Sequence, residues 1–598
     1  MALGLSAQVP PKGLSMTVSE APRPLSEQGL RNLVAFSRAM NYVRYFHPSD
    51  EAAKADWEAL SAAGVRAVEG AGSPPELAQR LQTFLTPYAP SVQVLTTGQP
   101  PSVPIQPADA AYVIRWEHFG WEGHPFPGSV YHSERVYAPL AERAAKEWAD
   151  PLSPSTLGLG DDLRIWMPSV CFADAAKTTL PRAVQKAVLP ASGVSTGDDR
   201  ATRLGDVALA WGVFRHFYPY ADVSRPDWDA ELGRALDAAA TDPDAATFVH
   251  TLKRFLASLK DGHARVYSEF DGGATPSLAL VMVDGRPFVR YAGASAQTVP
   301  AGSELLTVDK EPVAARVARL RPEISAASEG WMNFRLCEDL VDGKEGSSVR
   351  LTFRSPKGTV AETTLKRDSN TWVMSMASRP DSLTELRPGI WYVDLCRSRA
   401  SEIESALPKL TLAKGIVFDL RGYPREDFPQ LLQHLSKQPL ESARWNVPQV
   451  TQPDGRGWIW GTLPPWKLEP QAPVLPRKRV FLTNSMAISA SESFLGIVEA
   501  YHLGEIVGDP TAGGTNGNTN RLALPGGYRI PWTGMRVRMH DGSRHQGVGI
   551  HPTLEVKPTA KGLAEVHTRI VTRSSCGGHL YRLHSSNCCH VNRTIFAY

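Results

Sequence analysis

Apolar residues along this chain follow two periods. At 204–214, Leu204, Val207, Ala208, Trp211 and Phe214 recur at intervals of three and four, which predicts a helix with a buried face. The Tyr218-Pro219 step should end that helix, and Asp227-Trp228 should open the next. An ungapped shift of 171 residues lays 33–85 over 204–256, so that Leu33, Phe46, Pro48, Asp56, Trp57 and Leu81 meet Leu204, Phe217, Pro219, Asp227, Trp228 and Leu252. Two related helical modules therefore stand in tandem. Only the second continues into Asp261-Gly262-His263; the same shift sets Val92 opposite His263. The first module is thus expected to carry no chemistry and to pack on the second, with Trp57 and Phe84 buried as Trp228 and Phe255 are.

Elsewhere strand patterns dominate. Short strands at 112–116 and 163–166, among many Gly and Pro, make 101–181 a β-rich region. After His263, apolar runs at 277–283, 287–291, 305–309, 348–353 and 363–366 are separated by turns such as Asp284-Gly285 and Pro356-Lys357-Gly358, with a helix at 314–320. From 390 onward, continuous apolar strands at 391–395, 416–420, 480–483 and 505–508 alternate with helices, the pattern of a parallel sheet covered on both faces. The chain accordingly divides into a disordered terminus (1–24), a degenerate helical module (25–100), a β-rich region (101–181), a linker (182–202), a second helical module (203–266), a β-rich module (267–387), an α/β core (388–565) and an atypical tail (566–598). The fold class is multidomain α/β.

Composition narrows the function. The 598 residues carry 64 Lys or Arg against 61 Asp or Glu, a net charge of +3, too balanced for a dedicated nucleic-acid binder. No apolar run approaches the ~20 residues of a membrane-spanning helix. Small residues Ser6 and Ala7 before Gln8 resemble the end of an export signal whose start is missing; that reading places the protein in the periplasm or outside the cell, and the alternative is the cytoplasm. Six cysteines form no disulfide framework. Cys576, His579, His584, Cys588, Cys589 and His590 lack paired metal-ligand spacing. The glycine-rich run 512–520 has no following Lys-Ser or Lys-Thr, so no nucleotide loop is expected. No cofactor or metal is expected.

The sharpest local feature is the strand 480–483 running through a short loop into Ser489-Ala490-Ser491-Glu492 and an amphipathic helix marked by Phe494, Ile497, Val498 and Tyr501. A serine at such a junction projects toward the crevice where α/β proteins bind ligands. The same four residues also read as a capping box, in which Ser489 merely caps the helix and Glu492 reaches back to it. His263 could supply the base that a serine nucleophile needs. The turn Asp419-Leu420-Arg421-Gly422 is either a solvated loop or a source of a Gly422 N–H aimed at an oxyanion.

Taken in order, these segments resemble the tail-specific, or C-terminal processing, serine peptidases and their tricorn-core and retinoid-binding relatives. The resemblance is carried by Asp261-Gly262-His263, a PDZ-like stretch at 305–365, the 417–422 turn, Ser489-Ala490-Ser491-Glu492, the run 508–514 and Gly547-Val548-Gly549-Ile550-His551-Pro552. It implies an α/β core of the ClpP/crotonase-like kind, Ser489 as nucleophile, and Ala490 and Gly422 N–H groups as the oxyanion hole. The lysine of the Ser-Lys branch is replaced by Gly514, which points to the tricorn-like arrangement with His263 as base. Where that arrangement has an orienting glutamate, this chain has Gln546; Asp261 and Asp509 are the fallback acids. The resemblance implies a peptide or unfolded protein substrate, with the PDZ-like module helping to hold an extended segment or C-terminus. The alternative is a non-catalytic protein that binds peptide or apolar ligand on the same fold.

Overall fold

The computed structural model describes residues 19–566 apart from 124–128, 144–147, 161, 185–194, 271, 427–428 and 456–457. The Ser6-Ala7-Gln8 signal and the cysteine- and histidine-bearing tail lie outside the described residues.

The 171-residue repeat is structural. Helices Asp50–Lys54, Trp57–Val68 and Pro74–Leu85 recur as Ala221–Ser224, Trp228–Thr241 and Ala245–Ala257 with starts displaced by 171. Their caps recur too: Asp56 accepts from Ala59 N at 3.0 Å and Asp227 from Ala230 N at 3.1 Å, each satisfying an amide that the first helical turn leaves free. Ahead of them lie Glu27–Phe46 and Arg200–Phe217, the latter ending at Tyr218 before Pro219. In Arg200–Phe217 every residue but Arg215 is buried, because Trp57–Val68 of the first module and Trp228–Thr241 of the second pack on it from different sides. Gly212 lets Glu27–Phe46 close on Arg200–Phe217: a Cβ there would lie 2.0 Å from Asn41 Oδ1, while Asn41 Nδ2 donates to the Ala208 carbonyl at 2.9 Å.

The modules therefore share one hydrophobic core. Trp57 and Phe255 are buried in it, while Phe84 and Trp228 are half-buried against it. Val92, opposite His263 in the repeat, is also buried. A hairpin, Thr519–Leu524 with Tyr528–Thr533, inserts Leu522, Tyr528, Ile530 and Trp532 into the same core. Trp532 meets Phe214 edge-on at 5.5 Å. Burying Ile530 alone contributes about 1.5–3 kcal/mol, so this hairpin is held firmly at the end that matters below.

Three large sheets organise much of the rest. One joins Tyr112–Phe119, His132–Pro139, Val170–Ala173 and Thr179–Leu180 to Arg444–Val450, Ile459–Leu463 and Arg536–Arg538. A second, eight-stranded sheet runs between Gly273 and Ser369, with helices Val313–Leu320 and Glu329–Asp339 beside it. The third has the order Leu383–Arg387, Ile390–Asp394, Gly415–Asp419, Arg479–Thr483, Glu505–Gly508, Leu554–Glu555, parallel throughout except at its first pairing. Its strand Gly415–Asp419 is buried along its whole length. Alternate side chains serve the two faces: Phe418 stacks on Phe481 at 5.1 Å on one, and Tyr392, Val417, Leu482 and Val507 cluster on the other. Among the described residues no helix is long and apolar enough to cross a membrane.

Candidate active site

The strand Arg479–Thr483 delivers the chain to Ser489, and the helix Ala490–Ala500 begins at the next residue. Ser489 takes φ 57° and ψ −110°, a region that costs a residue with a Cβ about 1–3 kcal/mol. Its backbone N–H is fixed to the Thr515 carbonyl at 2.9 Å. Its hydroxyl makes no capping bond and has no hydrogen-bond partner among the described residues. The capping box is therefore absent. Glu492 instead turns inward and accepts from Thr511 Oγ1 at 2.6 Å and Gly514 N at 2.7 Å. Ser491, not Ser489, ties the helix start down, donating to the Gly422 carbonyl at 2.6 Å.

Thr515 also receives the histidine loop: Gly262 N donates to Thr515 Oγ1 at 3.2 Å. One buried residue thus holds both the Ser489 amide and the turn before His263. A Cβ on Gly262 would lie 2.6 Å from that hydroxyl, so glycine is required by close approach. His263 Nδ1 lies 2.8 Å from Thr533 Oγ1. Thr533 in turn donates its hydroxyl proton to Asp261 Oδ1 at 2.7 Å, and Asp261 Oδ2 accepts from Thr533 N at 2.7 Å.

This network assigns the tautomer. A threonine hydroxyl has one proton, and here a carboxylate takes it, so Oγ1 must accept from Nδ1–H. The neutral imidazole then carries its lone pair on Nε2. Burial pushes the His263 pKa below its ordinary 6.5, and the Asp261 charge works against that shift. The ring is a neutral base at physiological pH, poised beside a carboxylate.

Gln546 and Gly422 differ from expectation. The Gln546 amide donates to the Lys260 carbonyl at 3.0 Å, and no hydrogen bond joins it to His263. It braces the turn leading to Asp261, while the hydrogen bond of His263 Nδ1 is to Thr533, which Asp261 holds in turn. Asp509 sits at the end of Glu505–Gly508; burial raises its pKa to about 6, and its charged surroundings are Lys557, Glu555 and Arg290. The Gly422 N–H donates to the Leu420 carbonyl at 2.8 Å, a bond within this tight turn. Ala490 N–H, by contrast, has no partner among the described residues. It is one of the free amides that begin a helix.

The turn Asp419-Leu420-Arg421-Gly422 is buried rather than solvated. Burial opposes ionisation of Asp419, but Arg379 at 3.6 Å and Arg421 at 2.5 Å hold its carboxyl well below the usual carboxylate range. Gly514 explains why no lysine stands there: at φ 79°, a Cβ would fall 1.9 Å from the His545 carbonyl oxygen. Thr533 and Thr515 escaped the sequence reading. Two alternating runs flanking Pro525-Gly526-Gly527 were the signal for a hairpin ending at Thr533.

A buried parallel sheet thus presents an unbonded serine at a strained strand-to-helix junction, and Thr515 ties that junction to the turn before a histidine of defined tautomer. Residues 390–556 match the family model "Peptidase family S41". No curated protein matches the chain. Among solved structures, a crystal structure of a mutant of CPAF is similar at 16% identity, covering 61% of this chain and 94% of that one with a TM-score of 0.50. The photosystem II D1 C-terminal processing protease is similar at 18% identity over 60% of this chain and 96% of its own, with a TM-score of 0.36. The tricorn protease covers 75% of this chain and 43% of its own at 12% identity and a TM-score of 0.30. At 16% identity the likeness to the CPAF mutant is one of fold.

Proposed function

We propose that Ser489 is the nucleophile of this peptidase and His263 its general base, with Thr533 and Asp261 as positioning residues. His263 Nε2 takes the Ser489 proton as Oγ attacks the scissile carbonyl. Imidazolium formed in that step is stabilised by the Asp261 charge through Thr533. Ala490 N–H donates to the developing oxyanion. His263 then protonates the leaving amine, and water repeats the sequence to release the acyl group. The observation that carries this reading is the pairing of an unbonded hydroxyl on a strained backbone with an imidazole whose Nδ1 proton is committed to Thr533.

The substrate in this proposal is an extended peptide or an unfolded chain, gripped by the PDZ-like module. Strand Leu278–Val283 ends the eight-stranded sheet, and helix Glu329–Asp339 packs beside it, the pairing of strand edge and helix that takes an added strand. Trp331 of that helix clusters with Met486 and Ile488 of the loop before Ser489, which supports delivery from module to serine. The non-catalytic alternative rests on Gln546 in place of a carboxylate, and Asp261 at one hydroxyl's remove weakens that motive. Ser489→Ala should abolish hydrolysis of a broad peptide library by the intact chain; undiminished hydrolysis by that variant overturns the assignment.

A further inference from the structure

A cleft of about 420 Å³ opens between the second helical module and the strand Arg536–Arg538, lined in part by Tyr220, Asp222, Arg225, Arg536, Arg538 and Arg544. Four guanidinium groups and one carboxylate face it in a chain whose net charge is only +3. Asp222 is committed to Arg536. Arg225 and Arg538 donate only to carbonyls, of Asp222 and Gly542 at 3.2 Å each, and Arg544 has no partner among the described residues. Arg538 and Arg544 face each other across an antiparallel bridge, where like charges repel. Among the described residues neither arginine forms an ion pair, so a ligand of opposite charge is the natural remedy.

The cleft adjoins the candidate site. Arg536 follows Thr533 by three residues, and Arg544 directly precedes His545 and Gln546. Tyr220 on its wall accepts from Val537 N at 2.8 Å and feels the charges of Asp261 and Glu492. Arg536 lies over the rings of Tyr220 and Trp460 at 5.6 and 4.2 Å, which holds its guanidinium flat against the wall. We propose that this cleft is a subsite for acidic side chains of the peptide substrate, read by Arg225, Arg538 and Arg544. The inference rests on the peptidase reading and gives it a substrate class: chains carrying Asp or Glu near the cleaved bond.

Binding is measured in full-length Ser489→Ala by fluorescence anisotropy, using peptide pairs identical but for Glu or Gln. Each exposed ion pair is modest, so the three arginines together predict about a tenfold tighter Kd for the Glu peptides, narrowing as salt rises from about 50 to about 300 mM. R538E/R544E should abolish the preference for Glu and favour Lys peptides; R538Q/R544Q, a milder change at the same exposed positions, should cut it to about the twofold that Arg225 alone supplies. Equal affinity of the unsubstituted cleft for Glu and Gln peptides, or a preference undiminished in both variants, overturns the proposal. So does inorganic phosphate binding that R538E/R544E removes while Glu and Gln peptides bind alike. If the wild type hydrolyses nothing yet Glu peptides still bind selectively, the reading of Ser489 fails and the subsite stands.

Discussion

Ser489→Gly and Ser489→Ala separate the two readings of the serine junction by stability alone. Because the Ser489 hydroxyl has no hydrogen-bond partner among the described residues, Ser489→Ala removes no bond and should leave stability within ~0.5 kcal/mol of wild type. A helix-capping serine would instead cost about 1 kcal/mol on the same change. Alanine keeps the Cβ and hence the strain of φ 57°, ψ −110°; glycine removes it. That relief is about 1–3 kcal/mol, less the ~0.5–1 kcal/mol that glycine's freedom in the unfolded chain costs. Ser489→Gly should therefore exceed Ser489→Ala by up to roughly 2.5 kcal/mol, with about 1 kcal/mol the central expectation. For a unit the size of the 390–556 domain, 1 kcal/mol moves Tm by about 2–4 °C. Thermal unfolding followed by tryptophan fluorescence, comparing the same transition in both variants, is the assay. Ser489→Gly melting at or below Ser489→Ala would refute the strain argument.

Two further predictions concern protons. Thr533→Val cuts the link from Asp261 to His263 and should lower kcat/KM about 10²-fold, with Thr533→Ser restoring most of it; unchanged kcat/KM in Thr533→Val would remove Thr533 from the mechanism. Asp261→Asn removes the charge that raises His263, so the acid limb of kcat/KM, already below 6.5 in wild type, should move to still lower pH as the plateau falls; an upward move contradicts the assigned electrostatics. Burial raises Glu492 to about 7 from 4.5, so its contribution to stability is whole below about 4.5 and is lost as pH rises through about 7. Glu492→Gln should gain on wild type in Tm across that interval; parallel Tm-against-pH curves would sink this.

The helical repeat was legible in detail because its caps and apolar positions are local signals: Asp56 and Asp227 announce helices that begin at Trp57 and Trp228. Core strands such as 416–420 and 505–508 were equally plain, since a strand buried on both faces reads as an unbroken apolar run. Ser489 and His263 could be picked out but not joined, because the joint is Thr515, whose carbonyl and hydroxyl act on segments 26 and 253 residues away. Gln546 was assigned by its place in a motif, and motif position says nothing of side-chain direction; the amide turns to Lys260. The Gly422 N–H was likewise illegible, since a three-residue turn whose N–H bonds to Leu420 looks, in sequence, like one that offers it outward. Asp261 emerged only as a fallback, because its connection to the imidazole runs through a hydroxyl 272 residues distant.

The central claim is that Ser489 is made nucleophilic by His263. Labelling of the intact protein with a fluorophosphonate probe, followed by peptide mass spectrometry, tests it most directly. The account predicts one adduct on Ser489, lost in Ser489→Ala and strongly slowed in His263→Ala while both variants keep the wild-type fold by circular dichroism. Labelling at another serine, or of Ser489 at an unchanged rate in His263→Ala, would contradict it.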